Sequence, residues 1–228
     1  FSRRGEGNRS TVRESIDGVS IRWLYATPYQ RNDGRRLLNW LSFARQLVRE
    51  DWGKEPPDVI IGSSPHLFAA WGARRVAQRL GKPFVFEVRD LWPESLVAAG
   101  RPRTPGYCAL RMLARSLYST AERIVVLARG SADYLRTQGW PDSKLVYVPN
   151  GVDIDAFRGI VRPARTGLTL IYAGAHGPAN GLETVIGAAR LLQDDPSIRF
   201  LMVGDGPAKG ELTDLASRQG VSNVEFRE

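Results

Sequence analysis

Three short stretches hold residue types that could do chemistry together. The first runs from Leu168 to Gly181 and reads Leu-Thr-Leu-Ile-Tyr-Ala-Gly-Ala-His-Gly-Pro-Ala-Asn-Gly. A β-favouring run breaks into a glycine-rich loop, and Leu182 to Leu192 then repeats apolar residues at helical spacing. Such a strand–loop–helix unit aims backbone N–H groups and the positive end of a helix dipole at one spot, which suits a phosphate. The second stretch, Phe200 to Gly210, repeats the pattern around Val203-Gly204-Asp205-Gly206-Pro207. The third, Arg89-Asp90-Leu91-Trp92-Pro93-Glu94-Ser95, crowds charge and an aromatic ring where the strand Phe84 to Val88 ends. Open α/β sheets bind ligands outside the carboxyl ends of their strands, so reacting groups are expected here. His66 falls at another such mouth, after the strand Asp58 to Gly62. The structural alternative pairs Arg89 with Asp90 or Glu94 and uses Trp92 to plug the core.

The elements that must position these groups alternate along the whole chain. A loop over Phe1 to Asp17, with one exposed strand near Ser10 to Glu14, turns at Asp17-Gly18 into a strand from Val19 to Tyr25. Arg35 to Glu50 reads as an amphipathic helix with Leu37, Leu41, Ala44 and Val48 inward. Its other side sets Arg35, Arg36, Arg45 and Arg49 beside Trp40 and Phe43, either as a solvated face or as a contact for anionic lipid. Asp58 to Gly62 is apolar enough for a fully buried parallel strand. Ser63-Ser64-Pro65 then caps a helix from His66 to Leu80. Helices follow over Tyr107 to Ala121, with Leu110, Leu113 and Leu117 inward, and over Gly130 to Gln138. Strands follow over Arg123 to Leu127 and Lys144 to Val148, the latter broken at Pro149-Asn150-Gly151. The text then turns irregular through Gly159, Pro163 and Gly167. A domain boundary is placed there, giving units 1–157 and 158–228. Strands alternating with helices imply an α/β fold with parallel sheets.

Composition narrows the classes. The chain has 228 residues, 43% of them hydrophobic and 25% charged, so it can bury a core in one large or two modest domains. A formal charge of +8 points to an anionic partner, unless it only reflects an arginine-rich background. One cysteine, Cys108, rules out a disulfide framework and fits a reducing compartment. No apolar run is long enough to span a bilayer. The phosphate-binding Gly-Lys-Ser/Thr and the hydrolase Gly-x-Ser-x-Gly are both absent. Gly204 to Gly210 departs from the dinucleotide fingerprint, with three residues between its last two glycines. Two histidines and one cysteine lie far apart and give no metal spacing.

Three motifs in order carry a resemblance. Phe86-Glu87-Val88-Arg89-Asp90-Leu91-Trp92-Pro93-Glu94-Ser95, Val148-Pro149-Asn150-Gly151-Val152-Asp153 and Tyr172-Ala173-Gly174-Ala175-His176-Gly177 to Gly181 are similar to family 4 retaining glycosyltransferases of the two-domain GT-B fold. The first and last look most like amino-sugar transferases of bacterial surface polysaccharide synthesis, of the N-acetyl-L-fucosamine type. The resemblance implies two Rossmann-like domains, both incomplete in this chain, whose two ends read as cut. It implies a nucleotide-diphosphate sugar donor, UDP-linked, and a lipid-linked saccharide acceptor, with neither cofactor nor fixed metal and no nucleic-acid partner. Localisation would be cytoplasmic, with peripheral contact at an anionic membrane face.

Residue roles follow from the same resemblance. Arg89, Asp90 and Glu94 would serve catalysis, with His66 and Trp92 on the acceptor side. Asn150 and Asp153 would face the donor. Gly174, His176, Gly177, Asn180 and Gly181 would surround its diphosphate, and Gly204, Asp205 and Gly206 its nucleoside. Where many relatives carry an arginine and a lysine on the donor loop, this chain has Ala175 and Asn180, which shifts phosphate neutralisation to backbone and His176. His176→Ala and Asp90→Asn are each expected to cost transfer while leaving the fold intact. A GT-B sugar-nucleotide epimerase, a non-catalytic sugar-nucleotide module and a basic lipid- or nucleic-acid-associated domain stay open as alternatives.

Overall fold

The computed structural model describes residues 12–29, 34–52, 56–64, 66–98, 100, 102–160 and 167–228. Ser10, Pro65 and Pro163, used in the reading above, lie outside the described residues. The chain divides into two compact units, 1–152 and 153–228, so the division falls five residues before the expected one at 157.

The first unit begins with an antiparallel hairpin of β1 (Val12–Ile16) and β2 (Val19–Trp23). Asp17 and Gly18 both have positive φ, 51° and 80°, as the two central residues of a type I′ turn require. Arg13 and Arg22 both pair with Glu50, which fastens the hairpin to the end of α1 (Gly34–Arg49). Then follow β3 (Ile60–Ser63), α2 (Leu67–Leu80), β4 (Phe84–Val88), the short α3 (Glu94–Ala98) and α4 (Pro105–Thr120). The unit ends with β5 (Arg123–Val126), α5 (Arg129–Thr137) and β6 (Leu145–Tyr147). Strands β3 to β6 form one parallel sheet in sequence order.

One face of that sheet makes the core. Phe84, Phe86, Val88, Ile124 and Val126 pack beneath Ala70, Ala73 and Ala77 of α2 and Ala114, Leu117 and Tyr118 of α4. The small residues on α2 let helix and sheet approach closely. Thr104 caps α4 from its side chain and Pro105 opens it, a start that needs no N–H at the first position.

Two expectations are corrected here. Strand β3 is not fully buried: Ile61 on its second face is 62% exposed, since the described residues leave that face open. The inward stripe of α1 is also rotated from the expected one. Ala44 is buried with Phe43 and Leu47 half-buried, whereas Leu37 and Leu41 are exposed and Arg36 lies over Trp40. Trp40 and Phe43 are drawn inward because they pack on His66 at the head of α2.

The second unit holds β7 (Leu168–Ala173), α6 (Glu183–Leu191), β8 (Ile198–Val203), α7 (Lys209–Arg218) and β9 (Val224–Arg227). The strands form a parallel sheet in sequence order. Its core joins Tyr172, Met202 and Phe226 to Leu182, Ile186, Leu212 and Ala216 from the two helices. Parallel strands with a helix in each crossover make the fold the expected α/β type.

Candidate functional site

In the first unit the chemistry gathers at the carboxyl mouths of β3 and β4. Ser64 is fully buried and ties the two together: its N–H donates to the Glu87 carbonyl, and its Oγ accepts from the Arg89 N–H at 3.1 Å. The backbone turns outward beyond this clasp. Arg89 and Asp90 are both exposed, and among the described residues neither joins an ion pair. The purely structural pairing of Arg89 with Asp90 or Glu94 is therefore absent. A guanidinium and a carboxylate side by side, free of partners at a strand mouth, can meet opposite charges on one substrate.

Trp92 and Glu94 leave this loop in different directions. Trp92 meets Trp40 edge-on at 5.8 Å. Trp40 in turn stacks on His66 at 5.1 Å, with Phe43 edge-on to the same imidazole at 6.1 Å. His66, not a serine, caps α2: its Nδ1 accepts the Ala69 N–H at 3.1 Å. Accepting at Nδ1 puts the neutral ring's proton on Nε2. Burial, helped by the nearby Arg36 charge, pulls the His66 pKa down to about 4. The imidazole is thus neutral near pH 7 and lines a cavity of ≈370 Å³ with Phe43, Leu47 and Ala69. Glu94 instead turns toward α4 and α5, where it shares a cavity wall with Tyr134 and its hydroxyl. That hydroxyl's pKa is raised to about 12, by burial first and by Glu94 second. Glu94 is therefore separated from the aromatic cluster that Trp92 joins.

Asn150 and Asp153 are exposed, and they fall on opposite sides of the division between units. The Asp153 carboxylate accepts the Asp155 N–H at 3.0 Å, two residues on, just ahead of the short 3-10 turn Asp155–Phe157.

In the second unit the two glycine loops are zipped by backbone. The His176 N–H donates to the Asp205 carbonyl and the Ala208 N–H to the His176 carbonyl, each at 2.9 Å. Gly204 and Gly206 make this approach possible. A Cβ on Gly204 would lie 2.1 Å from the Gly174 carbonyl oxygen, and one on Gly206 would lie 2.5 Å from that of His176. Asn180 donates to the Ala175 carbonyl and the Tyr172 hydroxyl, and Gly181 ends the turn at φ 59°. Asp205 turns back on its own loop, its carboxylate accepting the Gly206 N–H at 2.8 Å. Gly177 is half-buried. Asn180 thus closes the loop through its side-chain amide.

The loops deliver α6 and α7 with no side-chain cap on either N-terminus. Both positive dipole ends therefore emerge beside the zipped loops, as an anion site requires. Lys209, the first residue of α7, was passed over in the sequence. It brings an ammonium to this end and donates to the Arg227 carbonyl at 3.3 Å. Its place three residues after Gly206 was the signal. His176 is fully buried, its ring 5.9 Å from Tyr172 and 6.1 Å from Phe226, and neither ring nitrogen has a hydrogen-bond partner. Such a ring is a packing element first, and its burial argues against the expectation that its truncation spares the fold.

The model of the Glycosyl transferase 4-like domain matches residues 1–151. The chain belongs to that family. This glycosyl transferase 4-like chain is 28% identical over 233 residues to the putative colanic acid biosynthesis glycosyl transferase WcaI of Escherichia coli K12, covering 92% of this chain and 56% of WcaI. It spans little more than half the length of the curated relatives it matches. Among solved structures it resembles sucrose-phosphate synthase of Thermosynechococcus elongatus, with TM-score 0.69 at 16% identity over 97% of this chain and 57% of that one. It also resembles Anabaena HepE solved with UDP and glucose, with TM-score 0.57 at 17% identity over 81% and 50% of the two chains. These likenesses give the fold as the Rossmann-like GT-B type.

Proposed function

We propose that the protein is a retaining glycosyltransferase that moves an amino sugar from a nucleotide-diphosphate donor, UDP-linked, to a lipid-linked saccharide in surface polysaccharide synthesis. The observation that carries this reading is the pair of uncapped helix N-termini, α6 and α7, presented by backbone-zipped glycine loops. Family membership, the UDP bound in HepE and the biosynthetic name of WcaI support the reaction class.

In the reaction the bond from the sugar's anomeric carbon to the diphosphate breaks, and the nucleoside diphosphate leaves with the electron pair. A bond to the acceptor oxygen forms on the same face, and the acceptor's hydroxyl proton passes to the departing phosphate. Helix N-termini, backbone N–H groups and Lys209 stabilise the negative charge that grows on that phosphate. Arg89 and Asp90, exposed and free of ion pairs, orient the sugar and acceptor hydroxyls. Neither step calls for a metal.

Calorimetry with UDP, GDP and a panel of nucleotide sugars tests donor binding, and radiolabelled transfer to lipid-extracted acceptors tests the reaction. Absence of any nucleotide binding sinks the reading. Donor turnover without an acceptor product favours an epimerase, and binding without turnover favours a sugar-nucleotide module.

A further inference from the structure

Beside the Arg89–Glu94 loop, on the side away from the aromatic cluster, lies a cavity of ≈450 Å³ between α3, α4 and α5. It is lined by Glu94, Arg103, Tyr107, Arg111, Tyr134 and Gln138. Among the described residues Arg103 and Arg111 form neither an ion pair nor a hydrogen bond. Two guanidiniums on one concavity, without partners among the described residues, leave their charge and donors available to an anion. Their planar forks match the oxygens of a phosphate or carboxylate. The tyrosines and Gln138 add ring faces, hydroxyls and an amide of the kind that hold sugar rings and their hydroxyls.

We propose that this cavity binds a saccharide unit bearing a phosphate or carboxylate, with Arg103 and Arg111 on the anion and Glu94 and Gln138 on the hydroxyls. This rests on the transferase reading in one respect: the anionic unit would be part of the acceptor, held next to Arg89 and Asp90. The placement makes Glu94 a recognition residue and leaves the reacting groups to its neighbours in the loop.

The test is ligand titration by NMR of the protein with glucose 1-phosphate, glucuronate, neutral glucose and inorganic phosphate, alongside UDP. Either anionic sugar should bind at least about tenfold more tightly than glucose, and more tightly than inorganic phosphate. Glucose 1-phosphate alone would mark a phosphorylated unit, and glucuronate alone a uronic acid. Arg111→Gln and Arg103→Gln should each weaken the anionic sugar about tenfold or more, as loss of a charge-assisted pair predicts. Both side chains are exposed, so unchanged melting curves verify the fold. Tyr134→Phe removes a lining hydroxyl and should weaken the sugar several-fold while leaving inorganic phosphate unchanged. UDP affinity should be the same in all variants. Equal binding of the anionic sugar by wild type and both arginine variants overturns the proposal, as does equal affinity for inorganic phosphate. Loss of UDP binding with the arginine effects retained would instead count against the transferase reading alone.

Discussion

His66 is held by three constraints at once: its cap on Ala69, its stack on Trp40 and the charge of Arg36. Its pKa, ordinarily about 6.5, falls to about 4 in the folded chain, so the folded state binds fewer protons at this site. Stability from this group is present above the unfolded value and is lost as pH falls from about 6.5 through about 4. Denaturant melts should show wild type losing more stability over that window than His66→Asn, which keeps a capping side chain and does not titrate there. Parallel curves would refute the assignment. Asp90 offers the complementary case. Free of ion pairs and exposed, it can be changed without structural cost, so Asp90→Asn should keep wild-type melting and lose about a hundredfold in transfer rate. A wild-type rate in that variant would remove Asp90 from the reaction. His176 behaves in the opposite way. Replacing a fully buried ring by Ala should cost about 2–4 kcal/mol in the second unit. His176→Phe keeps an aromatic ring, somewhat larger, without two unpartnered nitrogens and should cost less than the alanine change. Unfolding curves of the two variants, read beside their affinity for UDP, separate packing from any part in donor binding.

At the scale of elements, the glycine loops depend on backbone proximity more than on any side chain. Gly204→Ala forces a carbon into the Gly174 carbonyl and should cost about 2–3 kcal/mol, read as an earlier urea midpoint. A neutral result would mean that the loops sit farther apart in solution. These strands and loops were legible in the sequence because each rests on local chemistry: β-branched runs, glycine punctuation and helical spacing adjoin one another. The face of α1 was not. Its stripe through Leu37 and Leu41 and its stripe through Trp40, Phe43 and Leu47 are adjacent on one helix, and only the aromatic partner on α2 chooses between them. The surroundings of Glu94 were hidden for a similar reason, since Tyr134 arrives from a different helix many residues later. Lys209 was hidden for another: its role depends on where α7 begins.

At the scale of the whole molecule, with its formal net charge of +8, α1 brings four arginines and no acidic residue to a helix that also shows apolar side chains. Leu37, Leu38 and Leu41 are exposed on α1, together with Arg45 and Arg49. Among the described residues no helix is long and apolar enough to cross a membrane. An apolar stripe flanked by arginines suits the surface of an anionic bilayer. Vesicles containing anionic lipid should therefore retain the protein at low salt and release it steeply as salt rises. Arg45→Glu and Leu41→Ser should each reduce retention several-fold in a flotation assay. Equal retention by neutral vesicles would show that charge plays no part.

The paired bonds between His176, Asp205 and Ala208 have a kinetic consequence. One strand-end loop cannot open while its neighbour stays shut, because each bond belongs to both. In hydrogen–deuterium exchange the amides of His176 and Ala208 should then trade their protons at matched rates, and both should slow together when a nucleotide is added.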